Sequence, residues 1–163
     1  MSTRREATAA LLALPAITGA AGSSSSGLHP FSEEAARIIS YTLYAEARGE
    51  PFKGKLAVAA VIQTRARLSK VSLTDICLKD QQFSCWNGLR AVPKSYISGA
   101  GILPADLKAR SDCYSIAWVL MTSARKWNYL THFYNPSIAT PPWANSLRGR
   151  RVIGNHVFGY IDD

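Results

Sequence analysis

The 163-residue sequence lacks several features that would point to a function at once. Its three cysteines, Cys77, Cys85 and Cys113, contain no Cys-X-X-Cys pair, which argues against a zinc ribbon or a dithiol redox site. There is no HExxH run, the local signature of one class of zinc protease. No apolar run reaches the ~18–20 residues that a membrane-spanning helix needs. With 47% apolar residues, the composition predicts one folded globular domain.

Acidic residues are scarce relative to basic ones: 11 Asp and Glu stand against 19 Lys and Arg, for a formal net charge of +8. A basic protein favours an acidic partner, which is a nucleic acid, an anionic membrane surface or an anionic cell wall. The basic residues are scattered, apart from a short cluster at Arg148, Arg150 and Arg151, and no nucleic-acid-binding motif is present. We therefore expect no nucleic-acid partner.

The first residues are typical of an export signal rather than of a folded element. Arg4 and Arg5 precede a modest, alanine-rich apolar stretch at residues 9–21, and small residues follow. We interpret residues 1–22 as an export signal of the twin-arginine type, residues 23–31 as a flexible serine-rich linker, and residues 32–163 as the folded domain. An exported chain can form one disulfide from three cysteines, whereas the alternative is three buried thiols.

The rest of the sequence predicts a mostly helical α+β domain. Ser32 is a suitable N-cap for the first helix, and Ala35, Ile39, Leu43 and Ala47 fall on one apolar face. The predicted helices cover residues 33–48, 53–68, part of 69–80, and 105–126. The apolar face of the last helix is expected to be Leu107, Tyr114, Trp118 and Met121. Two strand-like segments, residues 131–136 and 152–158, are expected to pair as a small hairpin near the C-terminus, with a bulge or turn at Gly154.

Glu46 stands out on physical grounds. It lies in the last turn of the first predicted helix, where the negative end of the helix dipole disfavours the ionised carboxylate. Partial burial would raise its pKa further. A glutamate with a raised pKa is what the protonation of a glycosidic oxygen near neutral pH requires. Glu50, just after the helix, is a candidate second carboxylate.

Five short motifs follow one another in an order that resembles a known family. They are residues 44–54 (YAEARGEPFKG) with 57–61 (AVAAV), 82–86 (QFSCW), 131–136 (THFYNP), 142–144 (PWA) and 153–158 (IGNHVF). Together they resemble the spore-cortex-lytic (SleB-type) cell wall hydrolase family over about residues 38–158. Many members have Leu-Asn-Arg after the alanine-rich stretch, where this chain has Ile-Gln-Thr-Arg at residues 62–65.

The resemblance implies that residues 32–163 are a cell wall hydrolase catalytic domain with a lysozyme-like fold. It also implies cleavage of peptidoglycan between N-acetylmuramic acid and N-acetylglucosamine. It also implies that Glu46 is the essential glutamate. A two-carboxylate hydrolase needs a second acid about 5–10 Å from the first. A single glutamate suffices for lytic transglycosylation, in which it protonates the leaving oxygen and then deprotonates the sugar's own 6-hydroxyl. We expect this reaction, without a cofactor or a metal.

The matched motifs also contain candidate substrate-binding residues, since sugar rings stack on aromatic faces and amides bind acetamido groups. They are Tyr44, Trp86, His132, Tyr134, Asn135, Trp143, Asn155 and His156. His132 and His156 leave a zinc amidase open as an alternative, provided that facing strands bring them together. A second alternative is a non-catalytic wall-binding module.

These interpretations define the setting in which we expect the protein to act. The partner is peptidoglycan, membrane contact is transient and limited to the signal segment, and the protein is a monomer. The location is the periplasm or the cell wall, with a phage lysin acting on a host wall as an alternative source.

Overall fold

A computed structural model of the protein describes residues 31–124, 126–127 and 129–162. The expected export signal and all but the last residue of the expected linker therefore lie outside the described residues. In chain order the helices and strands are α1 (Glu33–Ala47), α2 (Phe52–Ser69), α3 (Leu73–Leu78), α4 (Lys94–Ser98), α5 (Pro104–Thr122), β1 (His132–Tyr134), β2 (Arg148–Ile153) and β3 (His156–Tyr160). Short 3-10 turns cover Ser84–Trp86 and Pro142–Ser146. The predicted mostly helical α+β architecture is confirmed.

Helix α1 is the central element of the fold. The Ser32 side chain accepts a hydrogen bond from the backbone N–H of Ala35 at 3.1 Å, as the N-cap prediction requires. The predicted apolar face is buried along its whole length. It packs most extensively against α5 and also against α2 and α3. Helix α1 ends at Ala47, so Glu46 lies in its last turn.

Helix α2 follows α1 after a four-residue turn. Its alanine-rich centre, with Ala57, Ala59 and Ala60, is buried and allows other helices to approach closely. Helix α3 begins at a capping box, in which Ser72 and Asp75 exchange side-chain and backbone hydrogen bonds.

Helix α5 differs from its prediction in length and in the face that it buries. It ends at Thr122 rather than near residue 126. We expected an apolar face of Leu107, Tyr114, Trp118 and Met121. Only Met121 of these is buried, and Leu107 is 46% exposed. The buried face is instead Ala109, Cys113, Ile116, Ala117, Leu120 and Met121, and its small members let α5 pack close to α1.

The two predicted strand segments pair, but the sheet has three strands in the order β1-β3-β2. β1 and β3 are antiparallel, with Phe133 opposite Phe158. The second predicted segment contains a turn at Gly154 and Asn155 and therefore forms the end of β2 and the start of β3. The fully buried Phe158 joins the sheet to the helical core. In the described part of the chain, no helix is both long enough and apolar enough to cross a membrane.

Candidate active site

Glu46 faces a groove of about 660 Å³ between the helical core and the sheet. We call it the Glu46 groove. Its lining comes from α1, α2, the region around α3, β1 and the second 3-10 turn: Glu46, Arg65, Leu68, Ser69, Ile76, Lys79, Gln81, Gln82, Ser84, Thr131, His132, Phe133, Trp143 and Ile161. Among these lining residues, Glu46 is the only carboxylic acid. The described lining of the groove therefore presents a single acid.

The surroundings of Glu46 keep its carboxyl group in the protonated form to a higher pH than usual. Burial is the main cause and raises the pKa. A hydrogen bond from the backbone N–H of Cys85 and the positive charge of Arg65 act in the opposite direction and lower it. The net shift is upward. The prediction of a raised pKa at this helix end thus agrees with the structure.

Arg65 is the second charged group in the depth of the groove. Its Nε donates to the backbone carbonyl of Thr131 at 2.7 Å, and its Nη1 donates to Oε1 of Gln82 at 3.1 Å. The guanidinium also lies over the ring of Phe83, at 5.8 Å from its centroid. Arg65 thus joins α2 to the loop after α3 and to the start of β1. Burial lowers its own pKa, and Glu46 raises it.

An aromatic wall forms the sheet side of the groove. The rings of His132 and Trp143 lie 4.9 Å apart, and Tyr134 meets Trp143 edge-on at 5.7 Å. His132 is held by a hydrogen bond of 2.8 Å between its Nδ1 and the hydroxyl of Thr131, which also accepts the backbone N–H of Ile161. Two of the candidate substrate-binding residues, His132 and Trp143, therefore line the groove together with Glu46, and Tyr134 packs against Trp143.

Two other aromatic candidates pack against the core. Trp86 is only 8% exposed, and its Nε1 donates to the hydroxyl of Thr42 on α1 at 3.0 Å. Tyr44 packs against Tyr96, with ring centroids 5.2 Å apart. Neither lines the Glu46 groove. Both hold the loops around the first helix in place.

The remaining polar candidates lie elsewhere as well. Asn135 Oδ1 accepts from the backbone N–H and the hydroxyl of Ser137 at 3.0 and 2.6 Å, which stabilises the turn after β1. Asn155 and His156 lie at the turn between β2 and β3 and contact Glu50. None of these residues lines the groove, and neither does the candidate second carboxylate, Glu50.

The two histidines lie on opposite faces of the sheet. Phe133 stacks on Phe158 and meets the ring of His156, so these three share the core face. His132 precedes Phe133 and therefore points to the other face, toward Trp143. Within the described residues, no group of three or more His, Cys, Asp or Glu side chains is arranged to hold a metal ion.

Sequence reasoning did not select Arg65, Gln82 and Thr131 as site residues. Arg65 had a detectable signal, because it is an arginine at the end of an otherwise apolar helix segment and occupies the position of the family's Leu-Asn-Arg run. Gln82 and Thr131 lie within matched motifs, yet nothing in their residue types separates them from ordinary loop residues. Their role depends on Arg65, which contacts both.

The comparisons with known proteins agree with this geometry. The sequence pattern of the family described as Cell Wall Hydrolase matches residues 49–159, more than half of the chain. The chain belongs to the cell wall hydrolase family. The match begins just after Glu46, whose assignment therefore depends on its position in the groove and on the motif that contains it.

Two curated members of this family are related over 133 residues. A spore cortex-lytic enzyme of Bacillus subtilis (strain 168) is 26% identical, and one of Oceanobacillus iheyensis is 25% identical. Each alignment covers 78% of this chain but only 38% and 42% of the respective relative. The chain thus spans well under half of the length of these relatives.

Two solved structures share the fold. One is the catalytic domain of the germination-specific lytic transglycosylase SleB from Bacillus anthracis, with a TM-score of 0.54 and 22% identity over 80% of this chain and 97% of that domain. The other is the catalytic domain of SleB from Bacillus cereus, with a TM-score of 0.51 and 22% identity over 85% and 99%. The described residues therefore have the fold of a cell wall hydrolase catalytic domain.

Proposed function

We propose that this protein cleaves the glycan strand of peptidoglycan between N-acetylmuramic acid and N-acetylglucosamine by lytic transglycosylation, with Glu46 as the catalytic acid and base. The observation that carries the proposal is the half-buried Glu46, with its raised pKa, as the only acid among the described residues of the groove. Membership of the cell wall hydrolase family supports the polymer. The related Bacillus anthracis domain is a lytic transglycosylase, which supports the reaction type.

The reaction needs only one carboxyl group. Protonated Glu46 donates its proton to the glycosidic oxygen as the bond from that oxygen to C1 of the muramic residue breaks. The resulting carboxylate then takes the proton from the 6-hydroxyl of the same sugar, and O6 bonds to C1. Glu46 ends protonated, no water is consumed, and the product carries a 1,6-anhydro ring.

The other groove residues have supporting roles in this proposal. The aromatic wall of His132, Tyr134 and Trp143 offers ring faces and edges on which sugars stack. The Arg65 charge beside Glu46 favours the carboxylate that forms after the first proton transfer. Action on the wall requires a location outside the cytoplasmic membrane, which agrees with the expected export signal in residues 1–22.

Mass spectrometry of the soluble fragments from purified peptidoglycan tests this proposal. We expect anhydro-muropeptides from the wild-type protein and a loss of at least about 10³-fold in their release by Glu46→Gln, since the proton donor is removed. The variant should retain the wild-type thermal unfolding profile, as the control for folding. Products with reducing ends would contradict transglycosylation, and free peptides with intact glycan would indicate the amidase alternative. Wall binding without any product would indicate the binding module.

A further inference from the structure

The structure gives Glu50 a set of contacts that the proposed reaction does not use. Glu50 is 6% exposed, and its carboxylate accepts two hydrogen bonds from Asn155: the backbone N–H donates to Oε2 at 2.9 Å, and Nδ2 donates to Oε1 at 3.1 Å. His156 Nδ1 lies 3.3 Å from Oε1, within ion-pair distance but not aligned as a hydrogen bond. We call Glu50, Asn155 and His156 the Glu50 clasp.

The backbone of Glu50 is held as firmly as its side chain. Its N–H donates to the carbonyl of Ala47 in the last turn of α1 at 3.0 Å. Its carbonyl accepts from Nζ of Lys55, a residue of α2 that is 4% exposed, at 2.6 Å. Glu50 thus joins the end of α1, the start of α2 and the turn between β2 and β3.

The Glu50 side chain lies in close contact with two glycines. A Cβ added at Gly54 would lie 2.8 Å from Cβ of Glu50. A Cβ added at Gly154 would overlap the Glu50 carboxylate and would lie 2.8 Å from Cδ of Pro51. The absence of a side chain at Gly54 on α2 and at Gly154 in the β2–β3 turn therefore leaves room for the buried Glu50 side chain.

These contacts indicate a structural use of Glu50 rather than a reaction with substrate. Both carboxylate oxygens accept hydrogen bonds from within the protein, and Glu50 does not line the Glu46 groove. Only four positions separate it from Glu46 along the chain. A shift of the α1 end relative to the sheet would therefore change the direction of Glu46 relative to the aromatic wall on β1.

We propose that Glu50 is a positioning residue, which anchors the end of α1 to the β2–β3 turn and thereby holds Glu46 in its reactive direction within the groove. This inference rests on the proposed function of Glu46. It gives Glu50 of the first motif and Asn155 and His156 of the last motif one shared structural role. Displacement of a reacting group by ~1 Å is enough to cost about 10²-fold in rate.

Kinetics of three clasp variants on a soluble glycan substrate test the proposal. Glu50→Ala removes both acceptors and should lower kcat by about 10- to 100-fold while KM changes by less than about threefold, because the groove remains but Glu46 is misdirected. Glu50→Gln should retain kcat within about fivefold, since its amide can accept from the Asn155 N–H and donate to a flipped Asn155 side chain. Asn155→Ala should lower kcat in the same direction as Glu50→Ala, and combining the two should add little.

The control is Ser32→Ala, which weakens the other end of the same helix and should lower the melting temperature without lowering kcat. If Glu50→Ala does not fold, the kcat values of Glu50→Gln and Asn155→Ala still test whether Glu50 is a positioning residue. Inactive Glu50→Gln with a wild-type melting temperature would overturn the proposal, because it would make the charge itself a reactant. Unchanged kcat in Asn155→Ala and Glu50→Ala would also overturn it. Failure of the proposed function itself is separate: it appears as an active Glu46→Gln.

Discussion

Glu46 and Arg65 reach the same groove from two different helices, and their chemistry is coupled. In the proposed reaction Glu46 first acts as a proton donor, and burial raises the pKa of its carboxyl group, which favours the protonated form. Arg65 opposes this effect and so limits how far the pKa rises. In the proposed reaction Glu46 first donates a proton and then accepts one. A pKa that is too low would block the donation, and a pKa that is too high would block the acceptance.

Replacing Arg65 should therefore change the pH profile in a defined direction. In Arg65→Gln the positive charge beside Glu46 is lost, the pKa of Glu46 rises further, and the alkaline limb of kcat/KM moves to higher pH. The measurement is the pH–rate profile on a soluble glycan fragment.

Arg65→Lys is the matched control, because it keeps the charge and loses the fork that contacts Thr131 and Gln82. Its alkaline limb should stay near that of the wild type, even if kcat falls. An alkaline limb that moves equally in Arg65→Gln and Arg65→Lys would show that the charge of Arg65 does not control the pKa of Glu46. A limb that moves to lower pH in Arg65→Gln would show the same.

At the scale of elements, the turn between β2 and β3 has the strictest local requirement. Gly154 has φ +62°, in the left-handed region that a residue without Cβ adopts freely. It also abuts the Glu50 carboxylate. The same glycine thus satisfies a backbone requirement and a packing requirement, and only the first was visible in the sequence.

A pair of alanine substitutions separates these two requirements. Gly101→Ala, at φ +78° with no atom within 4 Å of the added Cβ, should cost only the backbone penalty of about 1–2 kcal/mol. Gly154→Ala adds the clash with Glu50 and should cost clearly more, about 3 kcal/mol or above. Denaturant unfolding measures both, and equal losses would argue against a tight contact at Glu50.

Secondary structure could be predicted where it depends on local signals. The start of α1 follows from the Ser32 cap, and its buried face follows from apolar residues at helical spacing. The inward face of α5 could not be predicted in this way. Large apolar residues such as Leu107 and Val119 remain exposed there while Ile116 and Leu120 are buried, because the side of α5 that meets the core is set by tertiary packing.

At the scale of the whole molecule, the net charge of +8 is the feature that acts over the longest distance. Exposed positive charge raises the local concentration of the protein at an anionic polymer, and salt screens this effect. The screening length falls from about 10 Å at 0.1 M salt to about 3 Å at 1 M.

Digestion of intact, insoluble cell walls should therefore slow with salt more than digestion of a short, uncharged glycan fragment. Rates on both substrates between 0.1 and 1 M NaCl, about the range over which screening becomes complete, provide the measurement. Sedimentation of Glu46→Gln with walls at the same salt concentrations reports binding without cleavage. Equal slowing on both substrates would mean that salt acts on the groove and not on attachment to the wall.

The sequence alone determined the family and the helical character, and it predicted Glu46 as the acid. These are local properties: short motifs in a constant order, caps and apolar spacing, and a glutamate at a helix end. Tertiary structure decided which motif residues share the groove. It placed His132 and Trp143 in the groove that Glu46 lines, and it buried Trp86 in the core. It also joined Glu50 to Asn155 across 105 positions of sequence. Residue type does not reveal such partners, because a buried carboxylate and a reactive one look alike until the surrounding donors are in place.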